Sequence, residues 1–159
     1  YCEAAREMKV SDELKRMGYK PFVPFEEKYV SVNGILSVKK ERLLPRYVFF
    51  DIPAGAEPPW EMIKQLPCVQ KILQYSDEER ALRKEDMAFV EWLKRYDGLL
   101  RISPVIRVGT KIQVVGGPLK DFEGEIVDVK KSRRCVAINI SETGHFQKIW
   151  CPIEYIEEI

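Results

Sequence analysis

Apolar positions follow a helical period in several stretches before residue 99 and an alternating period after it, and this change divides the chain. Val10, Leu14 and Met17 share one face and Ala4, Ala5 and Met8 form an earlier patch, which predicts a helix from Glu3 to Met17 stopped by Gly18. Tyr19 to Phe25 reads as an extended segment broken by Pro21 and Pro24. Glu26–Val32 and Ile35–Lys40 flank Asn33-Gly34, the strongest short hairpin signal. Arg46 to Ile52 is a continuous β-branched and aromatic run, expected as a central strand. Pro58-Pro59 opens a short helix with a Pro59, Met62, Ile63, Leu66 stripe that ends at Pro67. Val69 to Tyr75 is another strand candidate. A clearer helix spans Lys84 to Tyr96, with Phe89, Trp92, Leu93 and Tyr96 on one face and Gly98 at its end.

This order predicts an α+β sandwich over residues 1–98. Leu99 to Ile106, holding Ser103-Pro104, is the expected boundary and linker. In residues 107–159, Ile112–Val115, Glu125–Lys130, Cys135–Ile140, Gln147–Cys151 and Tyr155–Ile159 read as five short strands, a small β-barrel with its own core.

Composition narrows the chemistry. At 159 residues the chain can bury the core of one domain or two small ones. Its net charge of +1 means that a nucleic-acid site has to come from local asymmetry. No apolar run approaches the ~20 residues a membrane span needs, and no signal peptide is seen. The chain opens at Tyr1 without Met, so some N-terminal sequence is expected to be absent. The four cysteines form no Cys-x-x-Cys pair and His145 is the single histidine, so no zinc site is expected. Reduced cysteines and a cytoplasmic location are the corresponding expectation. No phosphate-binding Gly-Lys loop, Gly-x-Ser-x-Gly elbow or metal-binding His pair occurs, so neither an enzyme nor a cofactor or metal is expected.

Two motifs narrow the function. From Gly109 to Val127 the chain reads as strand, Gly116-Gly117-Pro118 turn, loop, Gly124 and second strand. This stretch resembles the KOW motif, a small SH3-like barrel module of transcription and translation factors. The run Leu43-Leu44-Pro45-Arg46-Tyr47-Val48-Phe49-Phe50 resembles the NusG family's strand of the form aromatic-Pro-Gly-Tyr-Val-Phe. With both motifs in this order, nearly the whole chain resembles the NusG family of transcription elongation factors. That resemblance implies a NusG-like N-terminal α/β sandwich followed by a five-stranded KOW barrel.

Arg46 stands where a small residue is usual and Leu44 where an aromatic is common, and Cys68–Gln74 lacks the family's Gly-Val-x-Gly-Phe. Leu73–Asp77 and Lys148-Ile149-Trp150 join these features in making the chain most similar to the LoaP group, specialised paralogs that act as processive antiterminators.

The resemblance implies that Leu44, Pro45, Tyr47 and Phe49, with Tyr1 as a secondary candidate, grip the clamp helices of RNA polymerase. An exposed aromatic and aliphatic cluster suits a partner helix, and alternation puts Tyr47 and Phe49 opposite Val48 and Phe50, which are expected in the core. Lys28, Lys39, Lys40, Arg42 and Arg46 form a basic edge that can track non-template DNA phosphates, or can equally be a solvated edge that discourages aggregation.

In the second region Arg107, Lys111, Lys120, Lys130, Lys131, Arg133 and Arg134 are crowded together, with Lys130–Arg134 a basic turn between strands. Such a turn can pair with RNA phosphates or simply be solvated. The LoaP-like resemblance implies the former, with a nascent leader RNA hairpin as ligand. His145 and Phe146 can stack on an unpaired nucleotide or shield a barrel end. Phe122 matches a position where family barrels meet ribosomal or termination proteins, and it can also plug the core. Trp150 is expected in the core. The leading expectation is a monomeric elongation and antitermination factor binding polymerase and RNA. The alternative is a housekeeping NusG-like factor whose barrel binds protein partners.

Overall fold

The computed structural model describes residues 1–122 and 124–159; Glu123, inside the glycine motif, lies outside the described residues. The elements in chain order are α1 (Glu7–Arg16), β1 (Lys20–Phe22), β2 (Phe25–Val32), β3 (Ile35–Arg42), β4 (Phe49–Asp51) and α2 (Trp60–Lys64). They continue as α3 (Lys84–Arg95), β5 (Leu99–Leu100), β6 (Ser103–Val108), β7 (Lys111–Val114), β8 (Ile126–Lys130), β9 (Cys135–Asn139) and β10 (Lys148–Glu158). Short 3-10 turns occupy Pro118–Asp121 and Lys131–Arg133. The fold is mixed α/β with few helices, and its five-stranded sheet is curled. The chain forms two compact units, residues 1–24 with 42–81 and residues 25–41 with 82–159.

In the first unit the α1 stripe does what its spacing predicts. Val10 and Leu14 are buried with Cys2 and Ile63, and Met17, Tyr19, Val48, Phe50, Trp60 and Ile72 pack around them. Phe50 meets Tyr19 edge-on at 5.2 Å and Trp60 at 6.5 Å. The helix starts at Glu7 and not at Glu3, because the preceding backbone is bonded elsewhere. Cys2 bridges to Val69, the Glu3 N–H donates to the Cys68 carbonyl at 2.9 Å, and Ala5 takes a positive φ of 60°.

Two strand expectations are corrected. Val69 to Tyr75 forms no strand: its first residues seat Tyr1, whose carbonyl accepts from the N–H groups of Gln70 and Lys71. The Arg46–Ile52 run yields only β4, in an antiparallel two-stranded ladder with Phe22 opposite Phe49 and Pro21 opposite Phe50. Arg46, at φ 76°, turns the chain just before it.

In the second unit the β2–β3 hairpin turns through Asn33 and Gly34, both at positive φ as a type I′ turn requires. The strand order β3-β2-β5 places β5 parallel to β2, with Phe25 opposite Leu99. The five-stranded sheet runs β7-β6-β10-β9-β8. Residues 99–106, read from sequence as a linker, are β5 and most of β6, which pairs parallel with β10. The two segments expected at 147–151 and 155–159 are one strand. It changes partner at Pro152: up to there it runs antiparallel to β9, and from Ile153 it runs parallel to β6. The missing proline N–H is tolerated at such a changeover.

Helix α3 is built into this unit. Phe89 packs on Phe146 at 5.4 Å and Trp92 on Phe122 at 5.0 Å, while the Trp92 indole N–H donates to the Pro118 carbonyl at 2.9 Å. Buried Asp86, in the first turn of the helix, accepts the N–H groups of His145 at 2.9 Å and Phe146 at 3.2 Å. A Cβ on Gly144 would fall 2.5 Å from the Asp86 carboxylate, so this turn needs a glycine.

Replacing Asp86 by Ala leaves two backbone donors unpaired in the interior. Urea unfolding should show a loss of about 3–6 kcal/mol, from two charge-assisted hydrogen bonds that each contribute roughly 1.5–3 kcal/mol.

Glu26 on β2 supplies a second test. Burial, opposed by Lys28 and reinforced by Glu41, raises its carboxyl from 4.5 to about 7. Burial, with the Glu26 charge a lesser contribution, also raises the Cys135 and Cys151 thiols of β9 and β10. Because the folded Glu26 value lies above the unfolded one, this group's contribution is full below about pH 4.5 and is lost as pH rises through about 7. Glu26→Gln should therefore stabilise the protein above about pH 7 and change little below about 4.5. For a half-buried group the gain is about 1–2 kcal/mol after screening. Thermal melts across that range check it.

Candidate functional site

In the first unit four rings form a row along one side of β4. Tyr1 meets Tyr47 edge-on at 5.3 Å, Tyr47 stacks toward Phe49 at 6.4 Å, and Phe49 stacks on Phe22 at 5.2 Å. All four are half-buried. Val48 and Phe50, on the alternate side, pack into the core cluster. The Tyr47 hydroxyl is held above its ordinary pKa by burial and then by Tyr1, so it stays a neutral donor at the surface.

Of the other residues proposed for this patch, Pro45 is exposed but Leu44 is 9% exposed and packs inward. Phe22 was missed by sequence reasoning. The signal that could have found it is the short Lys20–Phe22 segment, whose pairing with β4 sets Phe22 against Phe49.

Arg42 and Arg46 were assigned to a basic edge, and the structure gives both another task. Glu7 is 1% exposed, and its carboxylate makes an ion pair with the Arg42 guanidinium at 2.8 Å. The other oxygen accepts the Arg46 backbone N–H at 2.8 Å. The Arg46 side chain donates to the Cys2 carbonyl at 2.9 Å and to the Gln70 amide oxygen at 2.6 Å, and it lies 4.6 Å from the Tyr1 ring centroid. The Arg42 guanidinium neutralises a buried carboxylate, and the Arg46 side chain holds the loop before β4. Burial, with the Glu7 charge second, raises the Cys2 thiol, which is packed in the core cluster with Val10, Leu14 and Ile63.

On the hairpin of the second unit, Lys28 pairs with Glu41 at 3.3 Å and the Lys40 ammonium lies 4.5 Å from the Phe25 ring centroid. Lys39 is exposed. The hairpin also exposes Val32, Ile35, Leu36 and Val38. Its surface is therefore mixed, and more apolar than its lysines suggested.

The basic turn between β8 and β9 projects Lys130, Lys131, Arg133 and Arg134 into solvent. Among the described residues none of the four has a carboxylate partner. Arg134 sits in the left-handed region, φ 48°, with its guanidinium 5.0 Å from the Tyr29 ring centroid.

The remaining cations lie on other elements. Arg107, on β6, is half-buried and donates to the Gly109 carbonyl at 3.0 Å; Lys111 is exposed on β7; Lys120 reaches the Val114 carbonyl at 3.5 Å. Strands β7 and β8 stand at the two ends of the strand order. His145 lies in the β9–β10 connection, at the end of β9 away from the basic turn, where its backbone is tied to Asp86 and its ring meets Phe146. Trp150, expected in the core, is half-buried and carries Lys130 at 4.2 Å and Lys148 at 5.1 Å over its ring.

Among the described residues no cluster of three or more His, Cys, Asp or Glu side chains is arranged to hold a metal, and no helix is long and apolar enough to cross a membrane. Residues 1–91 match the family model described as transcription termination factor nusG. The transcription termination/antitermination protein NusG of Haemophilus influenzae is 22% identical over 139 residues, covering 86% of this chain and 75% of that protein. The family match spans more than half of the 159 residues and takes in α1, the β2–β3 hairpin and the aromatic row, so the chain belongs to the NusG family of transcription factors.

Proposed function

We propose that this protein is a processive antitermination factor of the LoaP type, working in the cytoplasm as a monomer. Its aromatic row binds the clamp helices of RNA polymerase, and its basic turn captures a hairpin of the nascent transcript. In this reading residues 107–159 are a KOW barrel, and the cations of its β8–β9 turn do the capturing.

The observation that carries the proposal is the turn itself. Four exposed cations within five residues, with no carboxylate partner among the described residues, form a site whose attraction for phosphate is not cancelled locally. The aromatic row supports the polymerase half of the reading. Tyr1, Tyr47, Phe49 and Phe22 are ordered by mutual ring contact and remain half-exposed, which suits rigid anchors for a partner helix. One observation weighs against a barrel that serves protein partners alone. Phe122, which corresponds to a partner-meeting position in family barrels, already packs on Trp92 of α3.

Charge reversal of Lys131, Arg133 and Arg134 to Glu should weaken binding of a leader RNA hairpin by at least tenfold and flatten its salt dependence by a slope of about two. Anisotropy titrations at several salt concentrations measure both, and an unchanged affinity would overturn the RNA assignment. Tyr47→Glu should reduce association with RNA polymerase by roughly tenfold or more in co-purification, since a charge would have to be desolvated at the centre of the row. Retained binding by a folded Tyr47→Glu protein would overturn the clamp assignment.

A further inference from the structure

We infer that Trp150 is a stacking platform for an unpaired base of the bound RNA, a proposal that rests on the RNA-binding reading above. Trp150 lies on β10 opposite Ala137 of β9, which in turn lies opposite Asp128 of β8, so these three share one face of the sheet. Alternation adds Lys148 and Lys130 to that face. Ala137, the small member of this row, is fully buried.

The ring's surroundings are not those of a core residue. Two ammonium groups lie over it, Lys130 at 4.2 Å and Lys148 at 5.1 Å from its centroid. Lys148 is also 3.7 Å from the Asp128 carboxylate, the acid on this face. The other two tryptophans are committed differently. The Trp92 N–H is bonded to the Pro118 carbonyl in the interior, and the Trp60 N–H donates to the Glu57 carboxylate at 3.0 Å. The Trp150 N–H has no partner among the described residues.

Lysine heads on long flexible stems are weak and replaceable covers for an aromatic face. An incoming base can take their place against the indole while the ammoniums move outward to the phosphates on either side of it. Lys130 comes from the basic turn and Lys148 from the start of β10, so the cations flank the ring from two directions. Beside the turn, Arg134 over Tyr29 repeats the pairing of cation and ring. An aromatic face between cations is the usual construction of a single-strand site, because every base has a π face to stack and a backbone phosphate to neutralise.

The test uses the full chain with two probes, a short single-stranded RNA oligomer and a blunt RNA duplex carrying the same number of phosphates. Binding is followed by anisotropy and by intrinsic tryptophan fluorescence. The oligomer should quench the wild-type emission and the duplex should not. Trp150→Phe should bind the oligomer within a few-fold of wild type while losing the quench, because Trp60 and Trp92 remain. Trp150→Leu should bind the oligomer roughly tenfold more weakly. If Trp150→Leu does not fold, the wild-type quench and the Trp150→Phe result decide the matter alone. No quench in the wild type, or a quench that persists in Trp150→Phe, overturns the platform. Should the Lys131, Arg133 and Arg134 variant still lose affinity in that case, the RNA-binding reading survives without it. A wild-type protein that binds neither probe removes both.

Discussion

The second unit depends on one buried carboxylate. Asp86 sits in the first turn of α3, where the helix's positive end favours a negative charge, and it receives two backbone N–H groups from the loop that leads into β10. Without those bonds the loop would present unpaired donors to the interior, and the aromatic contacts of Phe89 with Phe146 would lose their alignment. Ser103 of β6 makes a parallel contribution, its buried hydroxyl accepting the N–H of Leu119 at 3.1 Å next to Pro118, whose carbonyl receives the Trp92 N–H of the helix. The helix and the curled sheet are thus joined by hydrogen bonds as well as by apolar packing, and hydrogen bonds fix registration more sharply than apolar contact does.

The first unit uses the same device. Glu7 is an interior carboxylate neutralised by Arg42 and by a backbone donor of the Arg46 turn. The turn it fixes is the one that delivers Tyr47 and Phe49 to the surface. In both units a buried acid fixes a loop: the turn before the aromatic row in the first, and the segment that leads into β10 in the second.

Much of the local structure was legible because its signals are local. The α1 stripe of Val10 and Leu14, the Asn33-Gly34 hairpin and the α3 face of Phe89, Trp92 and Leu93 all depend on spacing within a few residues. The errors fall where long-range pairing decides. Val69 to Tyr75 has the composition of a strand, but its backbone groups are taken by Tyr1 and Cys2. Ser103-Pro104 looks like a break, yet the parallel pairing with β10 makes it a strand, with proline near its start. Arg42 and Arg46 looked like surface charge because nothing in the local pattern shows that Glu7 is buried. Trp150 looked like core for a similar reason: alternation puts Lys148 on its side of the strand, but only the pairing of β8, β9 and β10 brings Lys130 over the same ring.

The left-handed backbone of Arg134 separates two properties of the basic turn that would otherwise change together. Glycine or asparagine can adopt that conformation readily, whereas valine or isoleucine cannot without strain. The loop's shape can therefore be kept while its electrostatic strength is dialled down one residue at a time. A change of side chain at this position can therefore alter the turn's charge without rebuilding the strands on either side.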